Sequence, residues 1–166
     1  MIHIPIIYNY KPFYIQTESD SAAINTTEWG LVAKTNPYPL LPNPKDPYKN
    51  EWHDEHGDDE WVKEIYYESI EFTVSFYVKA YDSAERSAEQ QLRKQIDEFF
   101  GKIKSGEFRI YDSYNGVGRQ MVRYAGYSEE SFVRRDDWAR AIFQISFKIN
   151  DPVTRMVMQN GSIIAE

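Results

Sequence analysis

A chain of 166 residues, 42% hydrophobic and 16% aromatic, is long enough to bury one core, and its 13 Tyr, 9 Phe and 4 Trp suit pleated sheets and interfaces. Its 26 acidic against 19 basic residues leave a net charge of −7, so nothing attracts a phosphate backbone and nucleic acid is not the expected partner. The absence of cysteine excludes disulfides, thiolate metal sites and cysteine nucleophiles.

The opening MIHIPIIYNYKPF has neither the basic flank nor the long apolar run of a signal peptide, and no stretch approaches the ~20 apolar residues of a membrane span. The expectation is a soluble chain made in the cytoplasm, with no membrane partner. Seven of the eight prolines fall between Pro5 and Pro47. Proline donates nothing to a sheet ladder and forces the residue before it to be extended, so residues 36–50 read as an extended loop or arm. Short strands are expected before it at Ile2–Tyr8, Phe13–Thr17 and Trp29–Ala33. An acidic stretch follows, from Glu51 to Glu60, punctuated by His53, His56 and Gly57.

From residue 66 the pattern becomes regular. Ile70, Phe72, Val74, Phe76, Val78 and Ala80 alternate with Glu71, Thr73, Ser75, Tyr77 and Lys79, the period of a strand with one buried face. Asp82 and Glu85 have the spacing of a capping box. Ala84, Ala88, Leu92, Ile96, Phe99, Phe100 and Ile103 then recur at helical spacing, with Lys102 and Lys104 near the end and Gly106 as a left-handed stop. Glu107–Tyr111 and Arg119–Tyr127 form a hairpin around Asn115, Gly116 and Gly118. Ser131–Arg135 reads as a further strand, Asp136–Asp137 as a turn and Trp138–Ile149 as the last long strand, ended by Asp151–Pro152. The tail to Glu166 is a final strand or a disordered end.

No nucleophile elbow, P-loop, zincin or dinucleotide motif occurs, and Asn115–Gly118 precedes a strand where a phosphate cradle would need a helix. His53, Asp54, His56 and Asp58 are candidate ligands for zinc or calcium, but their spacing matches no defined site, and a solvated acidic loop explains them better. Arg134, Arg135 and Arg140 surround Trp138 beside Asp136 and Asp137. They form either a charged interface rim with an aromatic anchor or a turn with exposed ion pairs. Tyr77, Tyr111, Tyr114, Tyr124 and Tyr127 are candidates for a sugar- or host-surface-binding face, unless packing uses them. The interface candidates are Pro39, Leu40, Leu41, Trp52, Tyr114, Arg134, Arg135 and Trp138. No catalytic residue and no cofactor is expected.

These features predict an α+β fold, mainly antiparallel β, with a barrel-like sheet and one long flanking helix at about residues 83–104. Three regions are expected: a Pro-rich, acidic segment with short strands (1–65), a core domain (66–152) and a tail (153–166). The run EFTVSFYVKA, the capped helix SAERSAEQQLRKQIDEFFGKI, then GEFRIYDSY, RYAGYS and AIFQISFKINDP together resemble the distal tail protein family of long-tailed phages and prophages. The resemblance implies a β-barrel-like domain with one flanking helix, six copies of which form a ring joining tail tube to baseplate or tip, alongside other tail proteins in the virion tail. It implies no catalytic residues. The Pro-rich, acidic front has no counterpart in that pattern, nor is a longer C-terminal domain seen. A related tube or completion subunit therefore stays open as an alternative.

Overall fold

The structure, a computed structural model, describes residues 12–34, 38–39, 41–50, 59–61 and 64–166. The strand expected at Ile2–Tyr8 lies outside these. Eleven described strands and one α-helix follow in chain order: β1 (Phe13–Thr17), β2 (Ile24–Asn25), a 3-10 turn (Thr26–Trp29), β3 (Leu31–Ala33), β4 (Tyr48–Asn50), β5 (Asp59–Trp61), β6 (Ile70–Tyr81), α1 (Ala88–Ile103), β7 (Phe108–Asp112), β8 (Val117–Arg134), β9 (Trp138–Ile149), β10 (Met156–Gln159) and β11 (Ser162–Ala165).

Seven strands make one antiparallel sheet in the order β2-β1-β7-β8-β9-β6-β3. Next to the central strand β8 runs β9, which is paired along its whole length with β6 (Ile70↔Ile149 to Tyr81↔Trp138) and on its other side with β8. The strict alternation in β6 and β9 puts Phe72, Val74, Phe76 and Val78 on the same inner face as Phe143, Ile145 and Phe147, all buried. The first three strands belong to this same sheet, although residues 1–65 read as a separate extended segment.

The sheet is strongly rolled. Flat, strands β1 and β6 would lie about 19 Å apart, four steps of ~4.8 Å. Yet the Phe13 ring of β1 meets Phe76 of β6 edge-on at 5.9 Å and stacks over Phe147 of β9 at 6.5 Å. The two edge strands, β2 and β3, are joined by nothing longer than Thr26–Gly30. A helical turn of that length covers about 12 Å or less, against roughly 29 Å across seven flat strands. Among the described residues no ladder joins β2 to β3, so the sheet does not close into a barrel.

Helix α1 fills the hollow. Ala88, Leu92, Gln95, Phe99 and Ile103 face inward, and Phe99 packs against Phe76 at 5.3 Å and Trp29 at 5.5 Å. The helix begins later than the spacing of Asp82 and Glu85 suggests. Ser87 is the N-cap, and the capping box pairs it with Gln90: the Gln90 N–H donates to Ser87 Oγ (3.3 Å) and the Ser87 N–H to Gln90 Oε1 (3.1 Å). The chain over Ser83–Arg86 is a separate turn, closed by the Ser83 N–H donating to the Arg86 carbonyl. Asp82 still serves the helix from a distance, accepting the Ala88 N–H at 2.7 Å. Lys104, not Gly106, is the C-cap, and Gln95 rather than Ile96 completes the buried stripe.

The tail folds into a hairpin, β10–β11, turned at Asn160 and Gly161 with φ of 51° and 80°, the left-handed pair that suits a two-residue turn. It covers the outer face of β1 and β7. The Ile163 N–H donates to Gln16 Oε1 at 2.7 Å, Arg109 Nη1 donates to the Ile163 carbonyl at 2.9 Å, and Met156 and Ile163 are buried. The approach is so close at Gly118 that a Cβ there would sit 2.2 Å from the Met156 carbonyl oxygen.

Asp151 starts this excursion. It accepts from Gln120 Nε2 (2.7 Å) and from the N–H groups of Thr154 and Val153. Burial works against its charged form, but these donors outweigh it and hold its pKa at about 2, below the ordinary 3.8.

Gly118→Ala should lower the thermal midpoint by the equivalent of about 1–3 kcal/mol, because backbone must shift to admit the methyl. Gly101→Ala, in the helix with nothing within 4 Å, should raise it by about 0.5–1 kcal/mol. Because the Asp151 pKa is depressed on folding, its contribution is complete above about pH 4 and disappears as pH falls toward 2. Thermal unfolding of Asp151→Asn should therefore lie below wild type at pH 6 and approach it at pH 2.

Candidate assembly interface

Between β3 and β6 the chain makes a 36-residue excursion, residues 34–69. Its first part is clasped to the core. The Lys34 N–H donates to the Ser75 carbonyl, continuing the line of β3, and the Tyr38 ring lies on Phe72 at 4.7 Å. The Tyr38 hydroxyl donates to Asp112 Oδ2 at 2.9 Å. Asp112 is buried and also accepts from Asn115 Nδ2 (2.7 Å) and from the N–H groups of Tyr114 and Asn115, so one carboxylate pins both this segment and the β7–β8 turn. Burial first, then the Asp112 charge, push the Tyr38 pKa above its ordinary value, which keeps the hydroxyl a donor.

Beyond Tyr38 the excursion becomes a two-stranded ribbon. Pro44 bridges Tyr67, the Lys45 N–H donates to the Tyr66 carbonyl and the Glu68 N–H to the Asn43 carbonyl. Then β4 pairs with β5, from Tyr48↔Trp61 to Asn50↔Asp59, and with no other described strand. From Pro44 to Asn50 the ribbon is about 20 Å long at ~3.3 Å per residue. Its described base is exposed even where it is apolar: Leu41 is 80% accessible, Ile65 57% and Tyr66 64%.

The second exposed feature is the outer two-thirds of β8. This strand is 18 residues long, but β7 pairs only as far as Val122, so no described strand lies beside Arg123–Arg134 opposite β9. Bulges at Tyr124/Gly126 and Glu129/Ser131 each insert a residue. They keep Tyr124, Tyr127 and Phe132 in register with Phe147, Ile145 and Ala141, on the helix side of the sheet. Tyr124 meets Phe100 of α1 edge-on at 5.5 Å, while Tyr127 (58%), Phe132 (47%) and Phe100 (40%) remain exposed.

Of the interface candidates, Pro39 and Leu41 are exposed at the ribbon base, and Tyr114 is exposed in the β7–β8 turn. Arg134 is engaged within the chain, with Nη2 2.9 Å from Asp82 and Nε 3.0 Å from Glu89, and so ties the end of β8 to the start of α1. Arg135 is exposed. Trp138 is half-buried with the Lys79 ammonium 4.3 Å from its ring centre, an arrangement completed by Tyr81 at 5.0 Å. Leu40 and Trp52 lie outside the described residues, as do the metal candidates His53, Asp54, His56 and Asp58. No group of three metal-type ligands occurs among the described residues.

The five tyrosines are not brought together. Tyr77 stands on the outer face between Val32 and Ile142, Tyr124 and Tyr127 on the inner one, and Tyr114 in a turn. The Tyr38–Asp112 pair is the most chemically suggestive couple, but its acceptor sites are filled by the turn. The cleft between β1 and the end of α1, lined by Thr17, Glu18, Lys102 and Glu107, is open and polar. Sequence reasoning missed the free length of β8: its apolar residues lose period two at each bulge, which makes one strand look like two.

No protein-family model matches the chain, and neither does any curated protein. Among solved structures it is similar to the crystal structure of the SPP1 Dit protein, described as a paradigm of the hub adsorption apparatus in phages that infect Gram-positive bacteria. The superposition covers 84% of this chain with a TM-score of 0.56 at 13% sequence identity. The likeness is one of fold. This chain spans about half the length of that structure, 50%.

Tyr38→Phe removes one donor from a buried carboxylate, at a cost of about 1–3 kcal/mol. Limited proteolysis should then cut the Pro39–Pro47 stretch sooner than in wild type, while cleavage within β6 and β9 stays unchanged.

Proposed function

We propose that this protein is a structural, non-catalytic subunit of a phage or prophage tail, which assembles with copies of itself into a ring and with other tail proteins. The observation that carries this reading is the fold shared with the SPP1 hub protein over 84% of the chain. Sequence points the same way, since the runs that resemble distal tail proteins are the helix and the central strands of the rolled sheet. The resemblance sets the expected copy number at six and the place at the virion tail.

Two surfaces support assembly. A self-paired ribbon with exposed Leu41, Ile65 and Tyr66 gains nothing by standing in water, and a long strand edge flanked by Tyr127 and Phe132 invites a partner. Light scattering on a size-exclusion column over a wide concentration range tests the reading. A discrete mass near six chains, or a concentration-dependent rise toward it, is expected. A chain that stays monomeric at every concentration would remove self-assembly from the proposal.

A further inference from the structure

We infer that the ribbon arm of one copy, Pro44–Asn50 with Asp59–Tyr67, lies along the open edge of β8, Arg123–Arg134, in the next copy. This rests on the self-assembly reading above and names the two surfaces that meet.

Three observations select this pairing. The first is length. A ribbon leg of seven residues needs an edge at least as long. The sheet's terminal strands offer two residues in β2 and three in β3. The edge of β6 beside β3 is met by the chain's own Lys34 at Ser75 and by Tyr38 at Phe72. Only β8 presents twelve residues without a described neighbour.

The second is apolar matching. The ribbon base exposes Leu41, Ile65 and Tyr66, and the β8 edge exposes Tyr127 and Phe132 with Phe100 beside them. Each set is exposed in its own copy, and contact between the two would remove both from water.

The third is charge. Between Leu41 and Glu68 stand nine acidic and three basic residues, a net −6 out of −7 for the whole chain. Two such arms repel one another, which disfavours a symmetric arm-to-arm contact. The β8 edge carries Arg123 against Glu129 and Glu130, with Arg134 held by Asp82 and Glu89 of its own chain, and so opposes the arm less than a second arm would.

An arm cannot readily serve its own β8. It leaves the sheet at Ile70, level with Val122 through their shared partner Ile149, whereas Phe132 lies level with Ala141, eight residues and about 26 Å along β9, so the far end of the edge is beyond an arm of about 20 Å. Arm and edge are different surfaces, so the contact is head-to-tail, and a head-to-tail contact that returns on itself builds a ring.

Because the chain has no cysteine, single introduced thiols report the contact cleanly. Ile65→Cys and Phe132→Cys, both at exposed positions, are prepared separately, mixed at high concentration and oxidised with copper phenanthroline. The mixed disulfide dimer should exceed that of Ile65→Cys mixed with Ser105→Cys by about tenfold or more, since docking raises the effective thiol concentration. Cross-linking no better than that control, or only between like variants, overturns the inference. If wild type forms a defined oligomer without the mixed cross-link, the pairing is wrong and self-assembly stands. If wild type is a strict monomer and no cross-link forms, both fall.

Discussion

Phe13 touching Phe76 and Phe147 expresses the constraint on which the rest of the structure depends: the two ends of a seven-stranded sheet are held together by the five residues from Thr26 to Gly30. A flat sheet cannot satisfy that tether, so the strands roll until aromatic rings from β1, β6 and β9 share one interior. The hollow that results is too wide for side chains of one sheet to fill alone, and α1 supplies the remainder through Leu92, Phe99 and Ile103. Trp29, on the tether itself, packs against Phe99, so the turn that forces the roll is anchored to the helix that fills it. Outside the roll, the β10–β11 hairpin shields β1 and β7 with Met156 and Ile163, and the missing side chain of Gly118 sets how closely it can approach.

Carboxylates organise the joints of this fold. Asp112 gathers the β7–β8 turn and Tyr38, Asp151 gathers the turn after β9, and Asp82 bridges the end of β6 to the helix start while pairing with Arg134. Asp20 closes a tight turn against Thr17 and accepts the Lys102 ammonium at 2.7 Å. In each case a charged oxygen collects backbone and side-chain donors that would otherwise lose water unreplaced. The same acceptor capacity could serve catalysis, but here it is consumed by turns.

The unequal lengths of neighbouring strands create the outward-looking features. β8 runs to Arg134 while β7 starts at Phe108, so two-thirds of β8 has a described partner on one side only, and its two bulges bend it instead of closing it. The ribbon, for its part, pairs with itself, and the stretch from Leu41 to Glu68 holds most of the chain's net negative charge. Proline explains its separateness: Pro42, Pro44 and Pro47 lack the N–H groups that docking onto the parent sheet would need. The outward features among the described residues are thus a ribbon that pairs only with itself and a long strand edge without a described neighbour.

By itself the sequence determined the elements whose signal is local. Period two wrote β6 and β9 to within a residue, Phe13–Thr17 was legible as a strand, and the α+β class followed. The helix was legible from its stripe, but its start was misplaced because Asp82–Glu85 and Ser87–Gln90 carry the same capping spacing, and only the path of the chain selects between them. The tail, read from the sequence as a final strand or a disordered end, is instead a hairpin turned at Asn160–Gly161. Tertiary structure alone decided the rest: that the strands between Phe13 and Ala33 join the central sheet, that the sheet rolls without closing, and that Tyr127 and Phe132 share an open edge. Each of these depends on pairing between residues far apart in the chain, where bulges reset the register and one short tether, not any periodicity, sets the curvature.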